Sequence, residues 1–373
     1  MSSKEIRYFD YNATHPPFID ILQKNLSIYN QQYFNPSGAG RFSLSRQSAI
    51  EDVRQYLSTL TGKPKNSFVF CSTGTEANQL LIGSIVHSNL GKNGFYVSPY
   101  EHSSIYGSLE LLGADFTVLK SLENGLLDLD DYEKKMKLFP KPTIVLLAGN
   151  ETGVVQPYKE IGNICMSYEV PYLSDLMQAY CKVDIDYTYI DGFTFSGHKI
   201  GGGMGASVVC LPLKLKSDYR LFKGGNQENG NRAGTENTPA ILSLKDASIF
   251  QFSSLNEKNN RLKNYKKILE ENLKMLGASI LCEDAERLPS TTFTLLPTDD
   301  IDFVLLGLEE KKIVVSTGSS CKSRAREASP SLLAMGYTKE KALRAIRISS
   351  GIFTDEDDIN YLISNLQKIV SLF

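Results

Sequence analysis

The sequence predicts an α/β protein with a mostly parallel sheet and a second, smaller α+β unit toward the C-terminus. Three observations predict it. Residues 143–148 (Thr-Ile-Val-Leu-Leu-Ala) form a continuous apolar run, as expected of a parallel strand covered on both faces. Short apolar runs alternate with helix-spaced segments over much of residues 67–199. Polar residues of chemical use follow several of those runs, which gathers them at one sheet edge, where open α/β sheets bind ligands. A chain of 373 residues is long enough for two domains.

Bulk composition narrows the function classes. Charged residues make up 22% and hydrophobic residues 42%, the balance of a soluble globular protein. A net charge of −2 leaves no basic footprint, so no direct nucleic-acid contact is expected. No apolar run reaches the roughly 18 residues of a membrane span, and Met1-Ser-Ser-Lys-Glu-Ile-Arg7 lacks the apolar core of a signal peptide. The six cysteines (71, 165, 181, 210, 282 and 321) show no CxxC pair and no metal-ligand spacing. They are expected to be free thiols in a reducing compartment, which makes a cytoplasmic enzyme the default class.

Taken in order, the chain opens with an extended piece over residues 8–17 that ends in Pro16 and Pro17, which bar a regular helix across them. Residues 18–32 and 41–60 read as helices, separated by a loop rich in Asn, Pro and Gly. Residues 67–71 form a short apolar strand. Ser72-Thr-Gly-Thr-Glu-Ala-Asn78 then opens a helix, an arrangement suited either to plain N-capping or to a phosphate on the helix end. A strand at 95–98 delivers Glu101 and His102, one of four histidines (15, 87, 102, 198). The run at 143–148 delivers Gly149 and Asn150, a helix follows at 157–168, and a strand at 170–174 delivers Asp175. Residues 189–195 read as a strand that delivers Ser196, His198 and Lys199 ahead of four glycines. Lysine is costly at the end of a core strand unless its amine is used, and one use is a covalent bond to a carbonyl cofactor. Residues 246–275 read as one polar helix crossing into the smaller unit. Strands at 290–296 and 313–316 and a helix near 328–336 follow.

An acid, a lysine, a histidine and a phosphate cradle at one edge suggest pyridoxal phosphate, with the acid on the pyridine nitrogen and the lysine on the aldehyde. A metal site fits worse, because the cluster offers too few His and Cys ligands; none is expected.

The motifs then resemble a known family. Asp10-Tyr-Asn-Ala-Thr14, Asn35-Pro-Ser37, Thr73-Gly-Thr-Glu-Ala-Asn78, Glu101-His102, Asn150-Glu-Thr-Gly153, Asp175-Leu-Met-Gln-Ala179, Ser196-Gly-His-Lys199, Arg232-Ala-Gly-Thr-Glu-Asn237, Ser316-Thr-Gly-Ser-Ser-Cys321 and Ile346-Arg-Ile348 occur in family order and span nearly the whole chain. Together they resemble the cysteine desulfurases, class V members of the fold type I pyridoxal-phosphate enzymes, and the cysteine motif is similar to the first of that family's two groups. The resemblance implies a large domain over 15–245 with a mostly parallel seven-stranded sheet, and a small α+β domain over 1–14 and 246–373 that carries the cysteine.

Carried over by position, Lys199 would bond the cofactor aldehyde and Asp175 would pair with the pyridinium. His102 would stack on the ring, and Asn150 and Gln178 would bond the ring oxygen. Gly74, Thr75, Ser196 and His198 would hold the phosphate, and Thr235 would reach the phosphate of a neighbouring subunit, which implies a homodimer. Asn35 and Arg347 would bind the substrate carboxylate; the planar guanidinium suits that task. Cys321 would attack the sulfur of L-cysteine, giving alanine and a persulfide, and pass the sulfur to a protein acceptor such as a scaffold or a thiolation enzyme. Lys312, Lys322 and Arg324 lie near it in sequence and favour a thiolate. Departures from the family pattern fall at Asn12 to His15, Ala233, Lys322 and Ile352, and none removes a group the chemistry needs. The pathway stays open between iron–sulfur assembly, tRNA thiolation and DNA sulfur modification. The alternative activity is that of a selenocysteine lyase or another class V aminotransferase-like enzyme.

Overall fold

The computed structural model describes residues 6–213, 215–317 and 327–372. In chain order the first part runs β1 (Arg7–Tyr8), α1 (Ile19–Gln31), α2 (Arg41–Thr61), β2 (Phe68–Cys71), α3 (Gly74–Val86), β3 (Phe95–Val97), α4 (Ser103–Leu111) and β4 (Phe116–Val118). The middle runs α5 (Leu129–Leu138), β5 (Thr143–Ile144), α6 (Tyr158–Ser167), β6 (Tyr172–Asp175), β7 (Gly192–Ser196), β8 (Ser207–Cys210) and α7 (Thr238–Ser253). The remainder is α8 (Leu255–Met275), β9 (Ser279–Ile280), β10 (Thr291–Leu295), α9 (Ile301–Glu310), β11 (Ile313–Val314), α10 (Pro330–Ala334), α11 (Lys339–Ala342), β12 (Ala345–Ser349) and α12 (Glu356–Val370).

Seven strands form the main sheet, in the order β2-β8-β7-β6-β5-β3-β4. All run parallel except β8, which is antiparallel to both neighbours. The reason is loop length. Only residues 197–206 separate β7 from β8, too few for the crossover that a parallel pair needs. Gly201, Gly203 and Gly205 take positive φ in that loop and let the chain double back. The strand order reverses between β3 and β5: α4 leads outward to β4, while α6 leads the other way to β6. A crevice therefore opens beyond the strand ends at that point.

Three sequence expectations shift at this edge and beyond. Residues 143–148 pair on both sides only as far as Ile144. Beyond it, Val145 and Leu147 N–H still reach the carbonyls of Leu173 (3.1 Å) and Asp175 (3.2 Å), but Leu146 N–H is taken by Glu101 Oε1 (2.6 Å). Tyr172 and Ser174 hydroxyls donate to the Val145 carbonyl. Side chains thus replace a neighbouring strand, and the sheet parts to make the crevice. The strand expected at 189–195 begins only at Gly192, because Asp186 caps a short 3₁₀ turn over Tyr187–Tyr189. The single helix expected over 246–275 is two helices. The hydroxyls of Ser253 and Ser254 donate to the Phe250 carbonyl, a local bond that competes with the helix ladder at the break.

α7, which straddles residue 245, packs on α1 and α2, whereas α8 packs on α12, β9 and β10. The C-terminal part has its own antiparallel sheet, β12-β10-β9, and its own core around Leu269, Leu308, Ile346, Ile348, Leu362 and Leu366. The N-terminal strand belongs to this part: β1 pairs in parallel with β11, Asp10 bridges Ser349, and Arg7 pairs with Asp358 at 2.7 Å. α12 starts on a capping box between Asp355 and Asp358. No helix among the described residues is long and apolar enough to cross a membrane.

Candidate active site

The parted sheet edge holds a cavity of about 530 Å³. Its wall carries Gly74 and Thr75 from the start of α3, His102 from the loop after β3, and Asn150 from the loop after β5. Asp175 and Gln178 from the end of β6, His198 and Lys199 from the turn after β7, and Arg347 of β12 complete the predicted set that the fold assembles there.

Lys199 ends the 3₁₀ turn Gly197–Lys199, and its Nζ donates to the carbonyls of Asn12 (2.7 Å) and Ala13 (2.8 Å). Burial lowers its pKa to about 8, with the Arg347 charge adding to the effect and Asp175 and Asp10 opposing it. The amine therefore loses its proton far below the usual 10.5. At pH 7.4 a pKa of about 8 leaves roughly 20% neutral amine, some 200-fold more than an ordinary lysine. Competitive acetylation of the apoprotein, read by peptide mass spectrometry, should show Lys199 reactivity rising with a midpoint near pH 8. A midpoint above 10 would remove this activation.

Asp175 is buried, and its carboxylate accepts from Asn78 Nδ2 (2.9 Å) and Met177 N–H (2.8 Å). Asn78 is itself fixed by Thr194, whose hydroxyl donates to Asn78 Oδ1 (2.6 Å). His102 caps α4: Nδ1 accepts from Ser104 N–H (3.2 Å) and lies 2.8 Å from Ser104 Oγ. Burial, with Lys199 beside it, lowers the His198 pKa to about 4, so its ring is neutral at physiological pH; Nδ1 lies 3.1 Å from Thr14 Oγ1.

The start of α3 is a cradle for an anion. Thr73 caps it by accepting from Glu76 N–H (3.1 Å), and the Gly74 and Thr75 amides in the first turn lie where helix N–H groups lack intrahelical partners. A side chain at residue 74 would crowd Met177, its Cβ meeting Cε at 2.7 Å. The carboxylate of Glu76 is countered by Arg232 (2.8 Å), which also holds Ser72 Oγ (2.9 Å), so the acid does not repel an anion there.

Arg347 donates to the Asn150 carbonyl (2.8 Å) and pairs with Asp10 (2.6 Å). Its backbone exchanges hydrogen bonds with Ser316, which also lines the cavity.

Three predicted residues are not in this wall. Ser196 is buried and its Oγ accepts from Ser207 (2.8 Å). Asn35 is exposed and accepts from Ser37 N–H (2.9 Å). Thr235 is exposed on another loop. The last two loops adjoin through Gln227, which donates to Ser37 Oγ (3.3 Å) and accepts from Gly234 N–H (3.2 Å). Cys321 lies outside the described residues, as do Lys322 and Arg324. The other five cysteines are free and buried. Asn78, Asn12 and Asp10 fell inside quoted motifs, yet no role followed for them from sequence, since each acts through a partner far along the chain.

Known proteins resemble this chain in sequence and in architecture. The family model for class V aminotransferases matches residues 7–362. The chain belongs to the class V aminotransferase family. Within the family it is 31% identical to the cysteine desulfurase IscS of Clostridium botulinum, over 97% of this chain and 94% of that one. The IscS of Rickettsia massiliae is 32% identical over 96% of this chain and 89% of that one. Among solved structures, a NifS-like protein from Rickettsia africae superposes with a TM-score of 0.88 at 30% identity, covering 98% of this class V chain and 100% of the other. SspA, solved in complex with cysteine, superposes with a TM-score of 0.80 at 27% identity, covering 94% and 100%.

Proposed function

We propose that this class V enzyme is a pyridoxal-phosphate-dependent cysteine desulfurase, which takes sulfur from L-cysteine, leaves L-alanine and carries the sulfur on Cys321. The observation that carries the reading is the convergence in one cavity of Lys199, Asp175, His102, the α3 cradle and Arg347.

The residues fit pyridoxal phosphate. The cavity volume suits a cofactor with a small substrate. One end offers helix N–H groups beside a Glu76 already neutralised by Arg232. Asp175 is a buried carboxylate held in place by two donors, as a partner for a pyridinium N–H must be. Lys199 carries a depressed pKa, as a carbonyl-binding amine needs. Gly74, Thr75 and His198 would hold the phosphate, which Ser196 would join only by turning its hydroxyl away from Ala206 and Ser207; His102 would hold the ring face, and Asn150 and Gln178 the ring oxygen. When bound, pyridoxal phosphate supplies an electron sink that weakens bonds around the substrate's α-carbon.

The chain's own groups do the rest. Arg347 takes the substrate carboxylate, for which it must share or leave Asp10; Asn35 would assist only if its loop reaches an active site. Lys199 Nζ moves the proton at the substrate α-carbon. Cys321 thiolate attacks the substrate sulfur, a sulfur–sulfur bond forms, the carbon–sulfur bond breaks, and its electron pair stays with the carbon, which a proton then completes as alanine.

Two observations support Cys321 for that task. Burial raises Cys165 and Cys282 to about 11 and Cys181 and Cys210 to about 12, and raises Cys71 as well, so none of these supplies thiolate at neutral pH. Ser316 sits in the cavity wall five positions before Cys321, and a five-residue span reaches at most about 17 Å.

The exposed Asn35 and Thr235 loops, next to a stack of Tyr33, Phe34 and Phe42 with Tyr33 67% exposed, favour a homodimer in which Thr235 serves the partner's phosphate site. Sedimentation should give a dimer at micromolar concentration; a monomer with full cofactor occupancy would overturn that arrangement. The acceptor is a protein, and five free buried thiols suit a cytoplasmic setting. The reading is tested by adding L-cysteine and a reductant to the purified protein with pyridoxal phosphate. Alanine and sulfide should appear in equal amounts, and production of neither refutes the activity.

A further inference from the structure

Gln178 is buried, and each end of its amide has one partner. Nε2 donates to the Asn12 carbonyl (2.8 Å), and Oε1 accepts from Lys182 Nζ (2.9 Å). The two ends of an amide are nearly equal in size, so its partners alone decide which way it faces. A flipped amide would set Oε1 against the Asn12 carbonyl, acceptor against acceptor, and would take the oxygen away from Lys182 Nζ, whose pKa burial and the nearby Lys199, Lys258 and Arg347 charges lower to about 7. Lys182 is not part of the main cavity wall. It lines a smaller cleft that it shares with Lys199 and Lys258, so it approaches Gln178 from behind the site. The Asn12 carbonyl that receives Gln178 also receives Lys199 Nζ (2.7 Å), and Lys182 Nζ lies 3.5 Å from Asn12 Oδ1. One line of contacts thus joins Lys182, Gln178, Asn12 and Lys199.

We propose that Lys182 is a positioning residue, which holds the Gln178 amide so that its second N–H faces a ligand's ring oxygen. The inference rests on the reading that this cavity takes pyridoxal phosphate with Gln178 against that oxygen. A donor there favours the ionised form of the oxygen, whereas the acceptor end would favour the protonated form. Lys182 therefore sets both the affinity for the cofactor and the pH at which the oxygen ionises, without touching either cofactor or substrate.

The test is a double-mutant cycle on Lys182→Met and Gln178→Ala, with two readouts besides turnover. These are the Kd of each apoprotein for pyridoxal phosphate and the pH midpoint of the cofactor's visible absorption in each holoenzyme. Losing the hydrogen bond that holds the buried amide should raise Kd about ten-fold in Lys182→Met. The midpoint should move upward by about one unit. In the Gln178→Ala background the same change at Lys182 should alter Kd less than about two-fold, because its effect passes through the amide. Unchanged Kd and midpoint in Lys182→Met overturn the proposal, and so does a full ten-fold loss on top of Gln178→Ala. If Lys182→Met does not yield folded protein by its melting curve, Lys182→Leu, which also carries no donor, takes its place with the same criteria. A wild-type apoprotein that takes up no pyridoxal phosphate overturns the functional reading itself; uptake with a silent Lys182 overturns only the positioning role.

Discussion

Lys199→Ala is expected to abolish covalent capture of pyridoxal phosphate and to lower kcat for cysteine by at least about 10³-fold, roughly 4 kcal/mol of barrier. The amine does two tasks that its neighbours do not duplicate. Among the described residues it is the only lysine in the cavity wall, and the nearby Lys182 sits behind Gln178 with its Nζ on the amide oxygen. Alanine also leaves the Asn12 and Ala13 carbonyls without this donor. Asp175 and the start of α3 remain, so the variant should still bind the cofactor without a covalent bond. Borohydride reduction followed by peptide mapping reads the outcome: label on Lys199 in the wild type and none in the variant. Label at another lysine with turnover retained would show that the amine has been assigned to the wrong residue.

Cys321→Ser is expected to keep cysteine binding and the spectral change of the cofactor, yet to release no alanine and carry no persulfide. Serine preserves the size of the side chain, but a hydroxyl is almost wholly protonated at neutral pH, while an ordinary thiol is a few per cent thiolate. Losing the nucleophile of a covalent step should cost at least about 10²-fold, roughly 2.7 kcal/mol. The five other thiols are raised by burial and offer no substitute. Selenocysteine is the informative control, since selenium leaves more readily without attack by an enzyme thiol. Near-normal alanine release from cysteine in the variant would favour a lyase.

Much of the site was legible because parallel strands write themselves plainly. Each is an apolar run, and the first useful polar residue after it lies at the ligand edge. Asp175, His102, Asn150 and Lys199 could be placed in that way. β8 was not legible, because its direction is set by the short glycine-rich turn before it and not by a feature of its own residues. The strand ending at Ile144 was overread, since nothing in Val-Leu-Leu says that Glu101, Tyr172 and Ser174 side chains will take over its backbone bonds. The helix break at Ser254 hides in an otherwise helical stretch. Partnerships across great sequence distance, such as Asp10 with Arg347 or Asn78 with Asp175, leave no local signal at all. Asn35 and Thr235 carry family motifs, yet motif order cannot say which copy of a site a residue serves.

The pairing of the N-terminal strand with the C-terminal part has a consequence for the timing of synthesis. Asp10 and Arg347 lie 337 positions apart, and the carbonyls that hold the Lys199 amine follow Asp10 directly. A ribosome adding about 5–20 residues per second needs roughly 17–67 s to cover that interval. For about nine-tenths of it the first dozen residues have been made but β11, which pairs with them, has not, and β12 comes only at its end. The nascent chain can close its main sheet early, while the Lys199 amine waits for the last strand to be translated before its acceptors are fixed. Arrest of translation before β12 would therefore yield a folded sheet with an unfinished centre, a product inactive by construction and not by damage.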